Sequence, residues 1–174
     1  MNSDLVIRLL EVSVVLVFFA SKVLILIGKR FGWLFGIFAA SLAIIYFYST
    51  GMVAYVIVQV GILAAMVYGF LKPSKKIIFE LPTRLIIAAV VMTLAVFVMN
   101  GSLALPKSIV SIGLLLGNYF LTQSNFRIGW ILLGLSNAFS AYFGYSNGHV
   151  FFADFQMATA VVAFIGVISQ RMKE

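Results

Sequence analysis

Phe31–Leu71 reads FGWLFGIFAASLAIIYFYSTGMVAYVIVQVGILAAMVYGFL. These 41 residues contain no Asp, Glu, Lys or Arg. A helix needs about 20 mostly apolar residues to cross a hydrocarbon layer of about 30 Å, so the stretch is long enough for two crossings. Ser49-Thr50-Gly51 supplies the turn-type residues between them. Outward from this pair, further apolar runs fall near 5–27, 83–99, 108–123, 127–145 and 149–170, which makes seven spans. The expected fold is therefore an all-α polytopic membrane protein.

Composition agrees. Of 174 residues, 63% are hydrophobic and 10% charged, against about 25% charged in a soluble domain, so a globular surface cannot be covered. The net charge of +7 comes from twelve basic and five acidic residues scattered among apolar runs, with no basic stripe. Nucleic acid is thus not the expected partner; the lipid bilayer is. Seven crossings place Lys29, Arg30, Lys72, Lys75, Lys76, Arg127, Arg171 and Lys173 on one side, and Arg8 and Lys107 on the other. The positive-inside rule puts the basic side in the cytoplasm and the N-terminus outside. Met1-Asn2-Ser3-Asp4 lacks the basic start of a secretory signal, so the first run reads as a retained span. Lys22 falls near the cytoplasmic end of that span, where snorkelling to the interface is expected.

A shift of 97 residues aligns Arg30-Phe31-Gly32-Trp33 with Arg127-Ile128-Gly129-Trp130, and Tyr48-Ser49-Thr50-Gly51 with Tyr145-Ser146-Asn147-Gly148. Val53 meets Val150, Gln59 meets Gln156, and Gly69 meets Gly166. Eight of the thirty pairs starting at Arg30 are identical. Spans 2 and 3 therefore repeat as spans 6 and 7, and span 1 extends the pairing to span 5. A shift of four spans keeps the units parallel. The layout is a single membrane domain with a first three-helix bundle at 1–72, a linker with helix 4 at 73–106, and a second bundle at 107–174.

Polar groups within spans mark candidate contacts, because they are costly in hydrocarbon. Asn137 shares a small-residue face with Gly134 and Ala141; it serves either a ligand or interhelical packing. Gln59 and Gln156 are repeat-related and open to the same two readings, as are Asn118 and Tyr119. Asp154 has Ile57 as its repeat mate, so the duplication did not require it. It contacts a ligand, pairs with His149 or a Lys, or reaches interfacial water. Trp33 and Trp130 sit just inside Arg30 and Arg127, where an aromatic belt is expected, with stacking on a solute as the other reading. Tyr142 belongs to a tyrosine cluster at the outer ends, able to stack a ring or hold a cation.

Catalysis has little support. The chain has one His, five acids and no Cys, and no metal-ligand spacing, phosphate loop or nucleophile elbow. No cofactor or metal is expected, and the protein is not expected to be an enzyme. Only Glu11 and Asp154 are acids within spans, which favours facilitated diffusion over ion coupling.

Lys29-Arg30-Phe31-Gly32-Trp33-Leu34-Phe35-Gly36-Ile37, with Tyr46-Phe47-Tyr48, Gln59 and Tyr68-Gly69, resembles the first half of the PnuC family of bacterial nicotinamide riboside transporters, related in architecture to the SWEET sugar transporters. Gly129-Trp130, Asn137, Asp154, Gln156 and Gly166 are similar to its second repeat. The resemblance covers about 28–72 and 127–170. It implies a 3+1+3 fold, uptake of a vitamin-type riboside or similar small aromatic solute, and homotrimers. Where that family carries tryptophans after the Gly ending the third and seventh spans, this chain has Phe70-Leu71-Lys72-Pro73 and Val167-Ile168-Ser169-Gln170. Its size and Leu105-Pro106 also resemble small inner-membrane proteins of the YgjV type, which points to the alternative of a non-transporting scaffold or partner subunit.

Overall fold

The computed structural model describes residues 3–51, 53–71, 105–146 and 150–171. The described chain is all-helical: α1 (Ser3–Leu26), α2 (Phe31–Ser49), α3 (Val53–Leu71), α4 (Leu105–Thr122), α5 (Phe126–Ser146) and α6 (Val150–Arg171). These correspond to expected spans 1–3 and 5–7, with ends within a few residues. The expected span at 83–99 lies outside the described residues. Among the described residues, three segments are long and apolar enough to cross a membrane: Leu5–Leu26, Phe31–Ser49 and Phe152–Ser169.

The turns follow from local chemistry. Gly28 and Gly51 take positive φ (74° and 72°), a backbone region that glycine enters without a Cβ penalty. The α2 end is closed by Thr50 N–H donating to the Tyr46 carbonyl and Gly51 N–H to that of Tyr48, both at 3.1 Å. Arg30 holds the far end of α3 beside α2. Its Nε and Nη2 donate to the Phe70 carbonyl at 3.2 and 3.0 Å, and its guanidinium lies 4.9 Å from the Phe70 ring centroid.

Packing closes the helices into a ring in which α1 touches α2, α2 touches α3, α3 touches α4, α4 touches α5, α5 touches α6, and α6 returns to α1. Every contact has a repeat mate: α1–α2 with α4–α5, α2–α3 with α5–α6, and α3–α4 with α6–α1. Each three-helix unit is thus built around its middle helix, and the two units meet through α3–α4 and α6–α1.

The middle helices approach their neighbours over small residues. All buried residues of α2 are Gly or Ala: Gly32, Gly36, Ala39, Ala40 and Ala43. A Cβ on Gly36 would lie 2.5 Å from Met66 Sδ on α3 and 3.0 Å from Ser21 Oγ on α1. The second unit fills the same space with the volumes exchanged. Leu133 replaces Gly36, Ala163 replaces Met66, and Leu133 packs against Gly117 on α4. Such compensated swaps conserve core volume and keep packing dense.

The two tryptophans make one repeated joint. A Cβ on Gly69 would fall 2.4 Å from the Trp33 ring, and one on Gly166 would fall 2.6 Å from the Trp130 ring. Trp130 is 1% exposed, so it is a core residue and not part of an aromatic belt, because the missing side chain at Gly166 leaves it a slot on α6. We expect Gly69→Ala and Gly166→Ala each to lower stability by about 1–3 kcal/mol through overpacking against a rigid ring. Gly28→Ala meets no atom within 4 Å, so it should cost only the backbone term, about 1–2 kcal/mol. Thermal unfolding of the detergent-solubilised protein measures all three.

Candidate functional site

The repeat extends to α1 and α4, at a shift of 96 and not 97. Lys29 N–H donates to the Leu24 carbonyl at 2.9 Å, and Asn125 N–H to that of Phe120 at 3.0 Å. Gly28 N–H donates to the Ile25 carbonyl at 3.0 Å, and Ser124 N–H to that of Leu121 at 3.2 Å. Ser124 also shares the positive φ of Gly28, at 62°. From this turn to the first glycine of the middle helix, the second unit carries one more residue: Ser124 to Gly129 against Gly28 to Gly32.

In this register Lys22 is the equivalent of Asn118, and the two are hydrogen-bonded to each other, Lys22 Nζ donating to Asn118 Oδ1. A contact between equivalent positions of two related units lies on the axis that relates them. No Cα of α1 comes within 8 Å of one in α4, so the long lysine side chain spans the gap between the units. Lys22 is 5% exposed. It does not snorkel; burial on the axis, facing a polar mate, replaces the expected interfacial position. Asn118 anchors the contact by donating its Nδ2 to the Leu114 carbonyl at 2.7 Å. At 1.5 Å per residue, both partners lie about 6 Å from the ends of their helices, at the end of the ring that carries Lys29 and Arg30.

Gln59 and Gln156 occupy the other half of the ring, six residues into α3 and α6, on helices that join the two units. Each is 9% exposed, and the Oε1 of each is buried with no hydrogen-bond partner among the described residues. Leaving a buried acceptor unpaired costs about 1–3 kcal/mol; here the cost is repeated at equivalent positions. The buried Nε2 of Gln123, near the end of α4, is a third such group.

Asn137 is buried among Ser136, Ser140 and Ala141, and its Nδ2 donates to the Leu133 carbonyl of its own helix at 2.7 Å. The equivalents of Ser136, Asn137 and Ser140 in the first unit are Ala39, Ala40 and Ala43, all fully buried. The second unit has thus acquired a polar patch where the first stays apolar. Tyr119 is half-buried beside Phe120, and Trp33 is half-buried against Gly69. Tyr142 is exposed on the outer face of α5. Asp154 is exposed too and accepts a hydrogen bond from Tyr145, which places it with the interfacial groups at the end of the ring opposite Lys22. His149, its other expected partner, lies outside the described residues.

The structure therefore brings Asn118 to the axis with Lys22, which sequence reading had left at the membrane surface. It sets Gln59 and Gln156 on the joining helices and leaves Tyr142 and Asp154 on the outside. The signal for Lys22 was available: an ungapped shift of 97 pairs it with Tyr119, whereas one extra residue in the second turn pairs it with Asn118. No family model matches the chain, and no curated protein or solved structure is significantly similar to it. We expect Asn118→Leu to lower stability by about 2–3 kcal/mol, since it strips the buried ammonium of its acceptor. Lys22→Met removes the buried charge but leaves Asn118 Oδ1 without its donor, so it should cost about 1–3 kcal/mol, and the double variant Lys22→Met/Asn118→Leu should lie closer to the parent than Asn118→Leu alone. Thermal unfolding of the four proteins provides the cycle.

Proposed function

We propose that this chain is a facilitative membrane transporter of a small aromatic or riboside-like solute, passing it along the axis between its two three-helix units. In this reading seven spans cross the bacterial inner membrane with the N-terminus outside. The segment near 83–99 links the bundles, and the Lys22–Asn118 contact lies toward the cytoplasm. Rocking of one unit against the other alternates access. The trimer and the vitamin-type solute come from the resemblance to the PnuC family.

The observation that carries the proposal is the glutamine pair. Two equivalent buried acceptors without partners among the described residues suit a site where solute donors complete the hydrogen bonds. Packing alone gives no reason to retain them, since leucine at both places would remove the unpaired groups. The alternative is a non-transporting scaffold. It draws support from Asn118 and Asn137, whose amide N–H groups bond within their own helices as packing residues do.

Gln59→Leu and Gln156→Leu separate the two. Both readings expect a rise in stability of about 1–3 kcal/mol per variant as the unpaired oxygen goes. Transport further predicts that purified protein in liposomes takes up a member of a vitamin and riboside panel, and that each variant slows this uptake about tenfold. No uptake and no ligand-induced thermal shift with any panel member would favour the scaffold.

A further inference from the structure

Lys22 offers three N–H donors and has one acceptor among the described residues, the neutral Asn118 amide oxygen. No ion pair to it exists among the described residues. Glu11 lies eleven residues back on the same helix, about 16 Å away along it, and Asp154 is at the opposite end of the ring with Tyr145. An intramembrane cation buried without an opposite charge is costly, and such residues mark ligand and ion paths. The position itself adds to this. A group on the axis touches both units, so a ligand held there feels their relative movement.

The ligand's charge follows from the donors. Asn118 Nδ2 gives one of its two N–H groups to Leu114, so beside the ammonium it offers one neutral donor, and Lys22 supplies the charge. One ammonium balances one negative charge. It lacks the fork of an arginine and the converging donors that a dianionic phosphate needs. We propose that the solute is a monoanion whose carboxylate takes over Lys22 Nζ from Asn118 on the axis between the two units. This rests on the transport reading above and narrows it. A pyridinium riboside carries the same sign as Lys22 and is disfavoured, whereas an aromatic carboxylate is complementary.

The test compares matched probes, nicotinate with nicotinamide and with nicotinamide riboside, and benzoate with benzamide. Each is measured by thermal shift in detergent and by uptake into proteoliposomes, for the parent, Lys22→Met and Lys22→Arg. The carboxylates should stabilise and enter at least about tenfold better than their amides. Lys22→Met should abolish that preference while remaining folded by size-exclusion chromatography, and Lys22→Arg should retain it. Equal response to carboxylate, amide and riboside, or an unchanged preference in Lys22→Met, overturns the proposal even if transport is real. Carboxylate binding that depends on Lys22 without uptake upholds the anion site and sinks the transport reading. No binding and no uptake of any probe counts against both.

Discussion

Helices in an apolar solvent gain nothing by hiding apolar side chains from it, so their association rests on how closely they fit. Everything else in this ring depends on that fit. The middle helix α2 buries only Gly and Ala, and the glycines at 69 and 166 each admit a tryptophan ring that a single methyl group would displace. Close approach of α2 to α1 and α3, and of α5 to α4 and α6, holds each unit together, while the joins α3–α4 and α6–α1 are thinner.

The two units solve one packing problem twice with different residues. Bulk sits on α3 in one and on the middle helix in the other, and three buried alanines of α2 become Ser136, Asn137 and Ser140 on α5. Divergence of this kind preserves volume while changing polarity. On the axis the two units accordingly present unlike groups, a lysine from the first half and an amide from the second.

Apolar run length and turn residues made the helices legible in the sequence, because hydropathy and chain reversal are local properties. The repeat was legible from Trp, Gly and Gln at one spacing. What was not legible was contact. Trp33 with Gly69 and Trp130 with Gly166 were each visible as matched identities, yet nothing local says that one fills the space left by the other. Lys22 was misplaced for a similar reason. Charge near a helix end reads as interfacial when its neighbours in space are unknown, and one extra residue in a turn hid the polar mate that shows it to be internal. Tyr142 and Asp154 lie outside because helix faces are assigned by neighbours, and each looks polar from sequence alone.

The axial Lys22–Asn118 pair also bears on how such a chain can be assembled. In a symmetric pair of identical halves, a residue on the two-fold axis meets its own copy. Two copies of the first half would press ammonium against ammonium in a low-dielectric interior, where like charges repel strongly. The mixed pair requires two units that differ at this position, which one chain carrying both supplies. The first half is thereby committed to the second as its partner, and fusion has removed self-association of that half from the alternatives open to the chain.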